Sequence, residues 1–407
     1  MAAITAGSEG SDDIVILEAN TEAGRKITAT GNGKCNFTNR YFDKSCFRSS
    51  SDKSMDYIGR FTPEDVISFF SDIGVKAYDR NGYLYPKSEQ AKSVRDALEY
   101  QAFKNGAKII YGCKVTDIIP ADPDKNNGNN TNFTITCNNE DVYECEKLLI
   151  SVGGAAAPVF GTDGSMYQIL EKIGINVIRP LPALCGLKAS DGFLKQLDGV
   201  RTHATVYYIY DRDITSPCFS EYGEIIFNKN GISGIPVLNA SRYVIKDLNM
   251  GNPSVIYIDF FPEEDEKTLF TYLKKIIISQ NMPLCKSFCG ILNDKLLRTV
   301  LSLSGFVPEA KLRYNSEEEL DSRLFRLVAL LKCFRLHISG DCGFENAQTT
   351  QGGVSLTEIN EKCESIKYNN LFFAGEILDT DGKCGGYNLQ WAWSTGYISG
   401  LGIGYTK

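Results

Sequence analysis

The chain has 407 residues, of which 43% are hydrophobic and 23% are charged, enough for a large buried core and two or three domains. Its formal net charge of −7 argues against general affinity for nucleic acid or an anionic membrane, so we expect neither as a partner. No apolar run approaches the ~20 residues of a membrane span, and the N-terminus lacks signal-peptide features.

The 13 cysteines are an odd number, scattered without paired spacing. This pattern predicts reduced thiols in a cytoplasmic protein. The closest pairs, Cys285/Cys289 and Cys137/Cys145, have only His203 and His337 to complete a ligand set, so we expect no metal site.

The first predicted element is a strand. Residues 11–18 contain a short apolar run at 14–17 and end in Glu18, which is typical of a buried parallel strand. In a βαβ dinucleotide fold, the acid that ends the second strand accepts hydrogen bonds from the adenosine ribose. Glu18 is therefore a candidate ribose ligand, and a solvated carboxylate at a strand end is the alternative.

A loop at 24–39 follows, with three glycines and three cations. Such a loop can bring backbone N–H groups and positive charge to a pyrophosphate. It is not a P-loop, because Gly33-Lys34 lacks the upstream glycine at position 28 and the following Ser or Thr. A flexible surface loop is the alternative, but this glycine content favours a ligand-binding loop.

Helices and strands then alternate. Thr62-Pro63 predicts a helix start, with an N-cap and proline at the first helical position. Ser88 is predicted to cap a second helix that ends near Lys104, before Gly106. Strands are predicted at 108–119, 132–137 and 142–150, and a hairpin loop at 122–131.

After Pro180-Leu181-Pro182 the pattern changes to that of an inserted domain. Strands are predicted at 203–210, 224–227 and 255–260, and helices near 265–280, 292–303 and 318–332. The last 70 residues return to strand, glycine turn and helix.

Two turns in this last part carry chemistry. An apolar strand ends in Gly375-Glu376, and in flavoproteins such a turn places the acid on the flavin ribityl chain. Gly385-Gly386-Tyr387 begins a helix that reaches about Leu401, and its free N–H groups and positive dipole end can lie at the flavin C2 carbonyl. This would stabilise the anionic reduced flavin. An ordinary strand–helix turn is the alternative.

The segments Gly24–Asn39 and Ala347–Trp393 resemble the bacterial FAD-dependent flavoprotein family that includes aminoacetone oxidase-like enzymes and the bile-acid 3-dehydro reductase. Shorter matches lie at 82–86, 153–161 and 231–236, so the resemblance covers nearly the whole chain. It implies an α/β fold with a Rossmann-like FAD-binding domain at 1–187 and 335–407. An inserted β-barrel-like and helical substrate-side domain would occupy 188–334.

The resemblance also implies an NAD(P)/FAD-dependent oxidoreductase, with NAD(P)H as a candidate electron donor. Hydride would pass through flavin N5 to a small apolar conjugated carbonyl substrate, and no catalytic residue is identified. The implied FAD contacts are Glu18, Arg25, Lys26, Cys35, Asn36, Val115, Gly375, Glu376, Asp379, Gly386, Tyr387, Asn388 and Leu389.

Four departures from the family pattern stand out. Lys34 replaces the usual Arg, Ala156 replaces a common Ser, and Asn228-Lys229 replaces a frequent Thr-His pair. Met1–Ile4 matches the middle of the helix that follows the family's Gly-x-Gly-x-x-Gly turn. We therefore expect a truncated N-terminus in which the first strand and glycine-rich turn are missing, and weaker FAD binding as a result.

Three alternative functions remain open from the sequence. They are a flavin amine oxidase that uses oxygen, a truncated cofactor-free remnant, and an RNA-modifying flavoprotein. The acidic balance disfavours the last of these.

Overall fold

The computed structural model describes residues 1–121, 132–209, 218–280 and 282–404. The helices are α1 (Ala2–Ser8), α2 (Arg25–Ala29), α3 (Ser54–Ile58), α4 (Pro63–Asp72), α5 (Ala91–Lys104), α6 (Ser165–Lys172), α7 (Leu194–Leu197), α8 (Ile235–Asn249), α9 (Glu266–Ser279), α10 (Leu284–Ser287), α11 (Asp294–Leu303), α12 (Glu317–Lys332) and α13 (Tyr387–Gly404). The strands are β1 (Val15–Glu18), β2 (Thr38–Asn39), β3 (Phe47–Arg48), β4 (Ala77–Arg80), β5 (Tyr83–Pro86), β6 (Lys108–Tyr111), β7 (Val115–Pro120), β8 (Phe133–Cys137), β9 (Val142–Cys145), β10 (Leu148–Ile150), β11 (Val177–Ala183), β12 (Leu187–Ala189), β13 (Arg201–Tyr208), β14 (Phe219–Asn228), β15 (Gly231–Ser233), β16 (Ser254–Asp259), β17 (Phe334–Asp341), β18 (Thr349–Val354), β19 (Leu371–Phe373) and β20 (Asp381–Gly382). Among these described helices, none is both long and apolar enough to cross a membrane.

The chain divides into two compact units, Met1–Pro182 with Ala347–Lys407, and Ala183–Asn346. In the first unit, β1 pairs in parallel with β6, and β10 pairs in parallel with β19. The predicted site residues Glu18 and Gly375 lie at or just after the carboxyl ends of these strands. This is where ligands bind in α/β sheets.

Helix α13 is largely buried within the first unit, and it packs against α1. Gly396, Gly400 and Gly404 face α1, and a Cβ at Gly400 would lie 2.6 Å from Thr5 Cβ. Glycine at this four-residue spacing lets the two helices approach closely. Trp391, on another part of α13, is 1% exposed and packs in the main core of this unit.

The second unit contains a closed six-stranded barrel in the order β12-β15-β14-β13-β16-β17, which confirms the predicted barrel-like insert. Strand β17 closes the barrel by pairing with both β12 and β16. Residues 183–187 and 335–346, which the family resemblance assigned to the cofactor domain, therefore lie in this unit. The predicted helices near 265–280, 292–303 and 318–332 correspond to α9, α11 and α12.

The sequence patterns missed the long helix α8 and misplaced the start of α5. Helix α8 was not predicted, because its buried face mixes Asn239, Ser241 and Asp247 with aliphatic residues and hides the apolar period. Helix α4 has the predicted Thr62 cap, but α5 begins one residue after Gln90 and not at Ser88. Ser88 Oγ instead accepts the Gln90 N–H at 3.3 Å, which closes a turn before the helix.

The prediction that all cysteines are reduced is wrong at one pair. Cys113 and Cys137 form a buried disulfide that joins the segment two residues before β7 to the end of β8. The two strands pair in antiparallel register, and this brings together thiols that lie 24 residues apart in sequence. The predicted hairpin loop at 122–131 lies outside the described residues.

We expect the disulfide to be visible in a thiol count. Denatured, unreduced protein should alkylate at 11 of its 13 cysteines, and all of them should react after reduction. Mass spectrometry of the alkylated chain gives the count, and complete alkylation without reductant would contradict the pairing.

Candidate functional site

The predicted adenosine-binding residues lie together at the carboxyl end of β1. Glu18 Oε1 accepts hydrogen bonds from the backbone N–H and Nδ2 of Asn20, at 2.8 and 2.7 Å. Arg25 donates to Asn20 Oδ1 at 2.8 Å. The Cys113 N–H donates to Glu18 O at 3.0 Å, and this places Val115, which begins β7, near the same strand end.

A second group joins the two ends of the chain. Lys26 Nζ lies 2.7 Å from Glu376 Oε2, and Glu376 Oε1 accepts the Thr350 N–H at 3.0 Å. The two charged side chains are 32% and 17% exposed, so the pair is half-buried and still reachable from solvent. It can offer a cation to a phosphate and a carboxylate to hydroxyl groups.

Asn36 and Gly386 form the third group. Asn36 is buried, and its Oδ1 has no hydrogen-bond partner in the part of the chain that the structure describes. Gly386 has φ 92°, and a Cβ there would lie 2.8 Å from Thr38 C and O and 2.9 Å from Asn36 Oδ1. Only glycine therefore lets the start of α13 approach the Asn36 turn this closely.

The start of α13 offers backbone donors. The Gln390 N–H already donates to Gly386 O at 2.9 Å, whereas helix geometry leaves the N–H groups of Tyr387, Asn388 and Leu389 without an intrahelical acceptor. Because α13 runs for 18 residues, the positive end of its dipole adds to these donors. The Leu389 side chain is partly buried and packs against the core cluster, whereas its backbone N–H has no intrahelical acceptor.

The side chains of two predicted contacts are already engaged. Asn388 donates to Gly382 O at 2.9 Å and accepts the Gly382 N–H at 2.8 Å. Asp379 is buried, and its Oδ2 accepts the Ser50 N–H at 2.9 Å as well as both the Ser49 and Ser50 hydroxyls. These contacts hold the loop before α13 in place.

Gly375 and Tyr387 are also fixed by neighbours. The Gly375 N–H donates to Thr395 Oγ1 at 2.9 Å, and its O accepts from Trp391 Nε1 at 3.0 Å. Tyr387 donates its hydroxyl to Tyr41 O at 2.7 Å, and burial holds the pKa of the phenol above its usual range. Tyr387 is therefore a neutral donor near pH 7.

Two residues of this site were missed in the sequence. Thr350 Oγ1 accepts the N–H groups of Ala155 and Ala156, at 2.8 and 3.1 Å, and Asn20 joins Glu18 to Arg25. Asn20 follows the strand-ending acid by two residues, which is a recognisable turn signal. The contacts of Thr350 span 195 residues and leave no local signal.

The structure shows the surroundings of three residues that depart from the family pattern. Lys34 Nζ pairs with Glu89 Oε2 at 3.1 Å, with both side chains more than 40% exposed. Ala156 is fully buried. Asn228 donates to Ser233 Oγ at 3.1 Å, across the β14–β15 turn.

The unpartnered Asn36 Oδ1 tests whether these residues fit FAD. A buried acceptor without a donor costs about 1–3 kcal/mol, and the N–H of a flavin ring or a ribityl hydroxyl would supply that donor. The free amides of α13 suit the flavin carbonyl, and the Lys26–Glu376 pair suits the phosphate and hydroxyl groups. The chemistry of these donors and acceptors fits FAD.

Replacing Asn36 with alanine should therefore have opposite effects on the two forms of the protein. Without FAD, the free energy of unfolding should stay the same or rise, because an unsatisfied buried oxygen is removed. FAD affinity should fall about tenfold, as expected for one buried hydrogen bond. Urea unfolding of the apoprotein measures the free energy of unfolding, and FAD titration measures the affinity. If the apoprotein lost as much free energy of unfolding as FAD binding lost in binding free energy, Asn36 would have a structural role only.

Cys35 lies at the same turn, with φ 57° and no exposed surface. Burial raises the pKa of its thiol to about 11, so the thiol is protonated near pH 7 and is a poor nucleophile. Cys35→Ser should keep more than about a tenth of kcat/KM, under ~1.4 kcal/mol of barrier. Loss of turnover with flavin still bound would show a redox role.

Comparison with known proteins shows which family the sequence matches. The family model described as HI0933-like protein Rossmann domain matches residues 1–402. The 3-dehydro-bile acid delta(4,6)-reductase of Clostridium scindens is 33% identical, covering 98% of this chain and 95% of the relative. Ribosomal RNA dihydrouridine synthases are also similar. That of Haemophilus influenzae is 28% identical over 96% of this chain and 92% of its own, and that of Escherichia coli is 26% identical over 94% and 90%.

Proposed function

The chain belongs to the HI0933-like Rossmann family and is an FAD-dependent oxidoreductase, and on that basis we propose that it reduces a carbon–carbon double bond conjugated with a carbonyl group. The observation that carries this proposal is the 33% identity to the bile-acid delta(4,6)-reductase over nearly the full length of both chains. The dihydrouridine synthases support the same reaction class, since forming dihydrouridine also saturates a double bond conjugated with a carbonyl. We take a small apolar molecule as the substrate and NAD(P)H as the reductant.

When bound, FAD supplies the hydride carrier between the nicotinamide donor and the substrate. Glu18 would accept the adenosine ribose hydroxyls, and Arg25 would place its charge toward the diphosphate. The Lys26–Glu376 pair would hold phosphate and ribityl groups. The Asn36 carboxamide and the first N–H groups of α13 would orient the flavin ring.

The start of α13 would also stabilise negative charge. Its unpaired N–H groups and its positive dipole end favour an anion beside them. The rigid contacts of Asn388 and Asp379 keep these donors fixed, so little reorganisation is needed as charge develops.

The test uses FAD-loaded protein under anaerobic conditions with NADH or NADPH. We expect a 3-oxo-4,6-diene bile acid to gain two hydrogens, as mass spectrometry would show, with no product when flavin is removed. The second candidate is RNA modification, favoured by the dihydrouridine synthases among the relatives and disfavoured by the net charge of −7. Dihydrouridine formed in a ribosomal RNA transcript, with the dienone untouched, would overturn the proposal in favour of that candidate.

Oxygen-dependent amine oxidation is tested in the same preparation. Under air and without nicotinamide, aminoacetone and related amines should yield no hydrogen peroxide above that of buffer. Rapid peroxide formation with amines, together with no reduction of the enone, would identify the protein as an amine oxidase.

A further inference from the structure

A cavity of about 270 Å³ lies in the first unit beside the predicted cofactor loop. Its lining consists of Gly31, Asn32, Lys34, Arg80, Tyr85 and Glu89. A Cβ at Gly31 would lie 2.9 Å from Asn36 N and 3.4 Å from the Tyr85 ring. The cavity wall therefore adjoins the Asn36 turn on one side and an aromatic ring on the other.

The charges at the cavity do not cancel. Lys34 pairs with Glu89, whereas the side chain of the exposed Arg80 has no hydrogen bond or ion pair to any residue that the structure describes. One guanidinium group is therefore left over. Its planar fork of donors matches a carboxylate or a phosphate in two parallel hydrogen bonds.

We propose that this cavity binds an oxyanion group, carboxylate or phosphate, of an organic molecule that reacts at the bound cofactor, with Arg80 as the main ligand and Lys34 as a second cation. The inference rests on the proposed function, because it assumes a reacting partner beside the Asn36 turn. Tyr85 would pack against the apolar part next to the anion. The cavity is too small for a whole steroid or dinucleotide and would take only the charged end. The two sources of such an anion are an acidic group carried by the otherwise apolar substrate and the phosphate groups of the nicotinamide dinucleotide.

The first experiment needs no turnover. Inorganic pyrophosphate is titrated into FAD-loaded protein, in which the cofactor already fills its own diphosphate site, and thermal stability is measured. Wild type and the control Lys76→Gln should be stabilised, and Arg80→Gln should bind about tenfold more weakly, the expected loss of a charge-assisted hydrogen bond. Lys76 is an exposed cation on the approach to β4 that does not line the cavity.

The second experiment identifies the source. In Arg80→Gln, a higher KM for a 3-oxo-4,6-diene bile acid, with no change for its neutral methyl ester, assigns the anion to the substrate. A higher KM for NADPH or NADH, with the acid unchanged, assigns it to the donor.

Two results would overturn the inference. One is equal pyrophosphate binding by wild type and Arg80→Gln. The other is loss of FAD from Arg80→Gln, which would make the cavity part of the cofactor site. If no enone is reduced by any variant, the proposed function fails, and the pyrophosphate titration still decides whether the anion site exists.

Discussion

Gly386→Ala is expected to purify without stoichiometric FAD, with an affinity at least about 100-fold below that of wild type, or ~2.7 kcal/mol. The added methyl carbon would lie 2.8 Å from the Thr38 backbone and 2.9 Å from Asn36 Oδ1, and backbone atoms cannot move aside as a flexible side chain can. The positive φ of 92° adds strain of about 1–3 kcal/mol for a residue other than glycine. The start of α13 must then shift away from Asn36, and the donors for the flavin ring shift with it.

Gly106→Ala is the matched control. Gly106 has φ 87°, and nothing lies within 4 Å of a Cβ there, so this variant carries the backbone strain without the clash. It should lose some thermal stability and keep its flavin. Flavin absorbance per chain and FAD titration decide the matter: full occupancy in Gly386→Ala would show that α13 does not hold the flavin.

Glu376→Ala should also lose FAD, by about 100-fold. The change removes the acceptor of the Thr350 N–H and the partner of Lys26 at once, so it strands a donor and a cation in a half-buried site. Breaking a buried pair by removing one partner costs several kcal/mol when burial is complete. The partial exposure of the Lys26–Glu376 pair lowers this cost in folding free energy. FAD affinity falls further, because the variant also lacks the carboxylate that we expect to bind the cofactor.

Glu89→Ala provides the comparison, because Glu89 pairs with the other loop lysine, Lys34, at 3.1 Å on the surface. An exposed pair of this kind contributes only about 0–1 kcal/mol, so its flavin content should match wild type. Equal flavin loss in the two variants would mean that loop charge in general, rather than the Glu376 carboxylate, controls binding.

Local signals in the sequence predicted much of this fold. The Thr62-Pro63 start of α4 was recognisable because capping depends on neighbouring residues, and the apolar run ending at Glu18 marked β1. Helix α8 escaped detection because polar side chains such as Asn239 are buried on its inner face. The Cys113–Cys137 bond required knowledge of the β7–β8 register, which spacing alone does not contain.

The site was less predictable than the fold. The motifs pointed to Asp379 and Asn388, yet their side chains brace the loop before α13. Thr350 acts through contacts to Ala155, Ala156 and Glu376 that depend on how distant strands meet. A motif shows that a residue type is needed at a position, whereas its partners are decided by the tertiary fold. The FAD-binding roles of the thirteen predicted residues therefore stay predictions, and the variants above test those of Asn36, Glu376 and Gly386.

The most direct measurement is a single turnover without a nicotinamide donor. FAD-loaded protein is photoreduced anaerobically, a 3-oxo-4,6-diene bile acid is added, and flavin absorbance is followed. We predict that the oxidised flavin spectrum returns with about one equivalent of reduced product per flavin, while the saturated 3-oxo analogue leaves the flavin reduced. Flavin that stays reduced with the dienone, and is reoxidised only by oxygen or by ribosomal RNA, would contradict enone reduction as the activity of this protein.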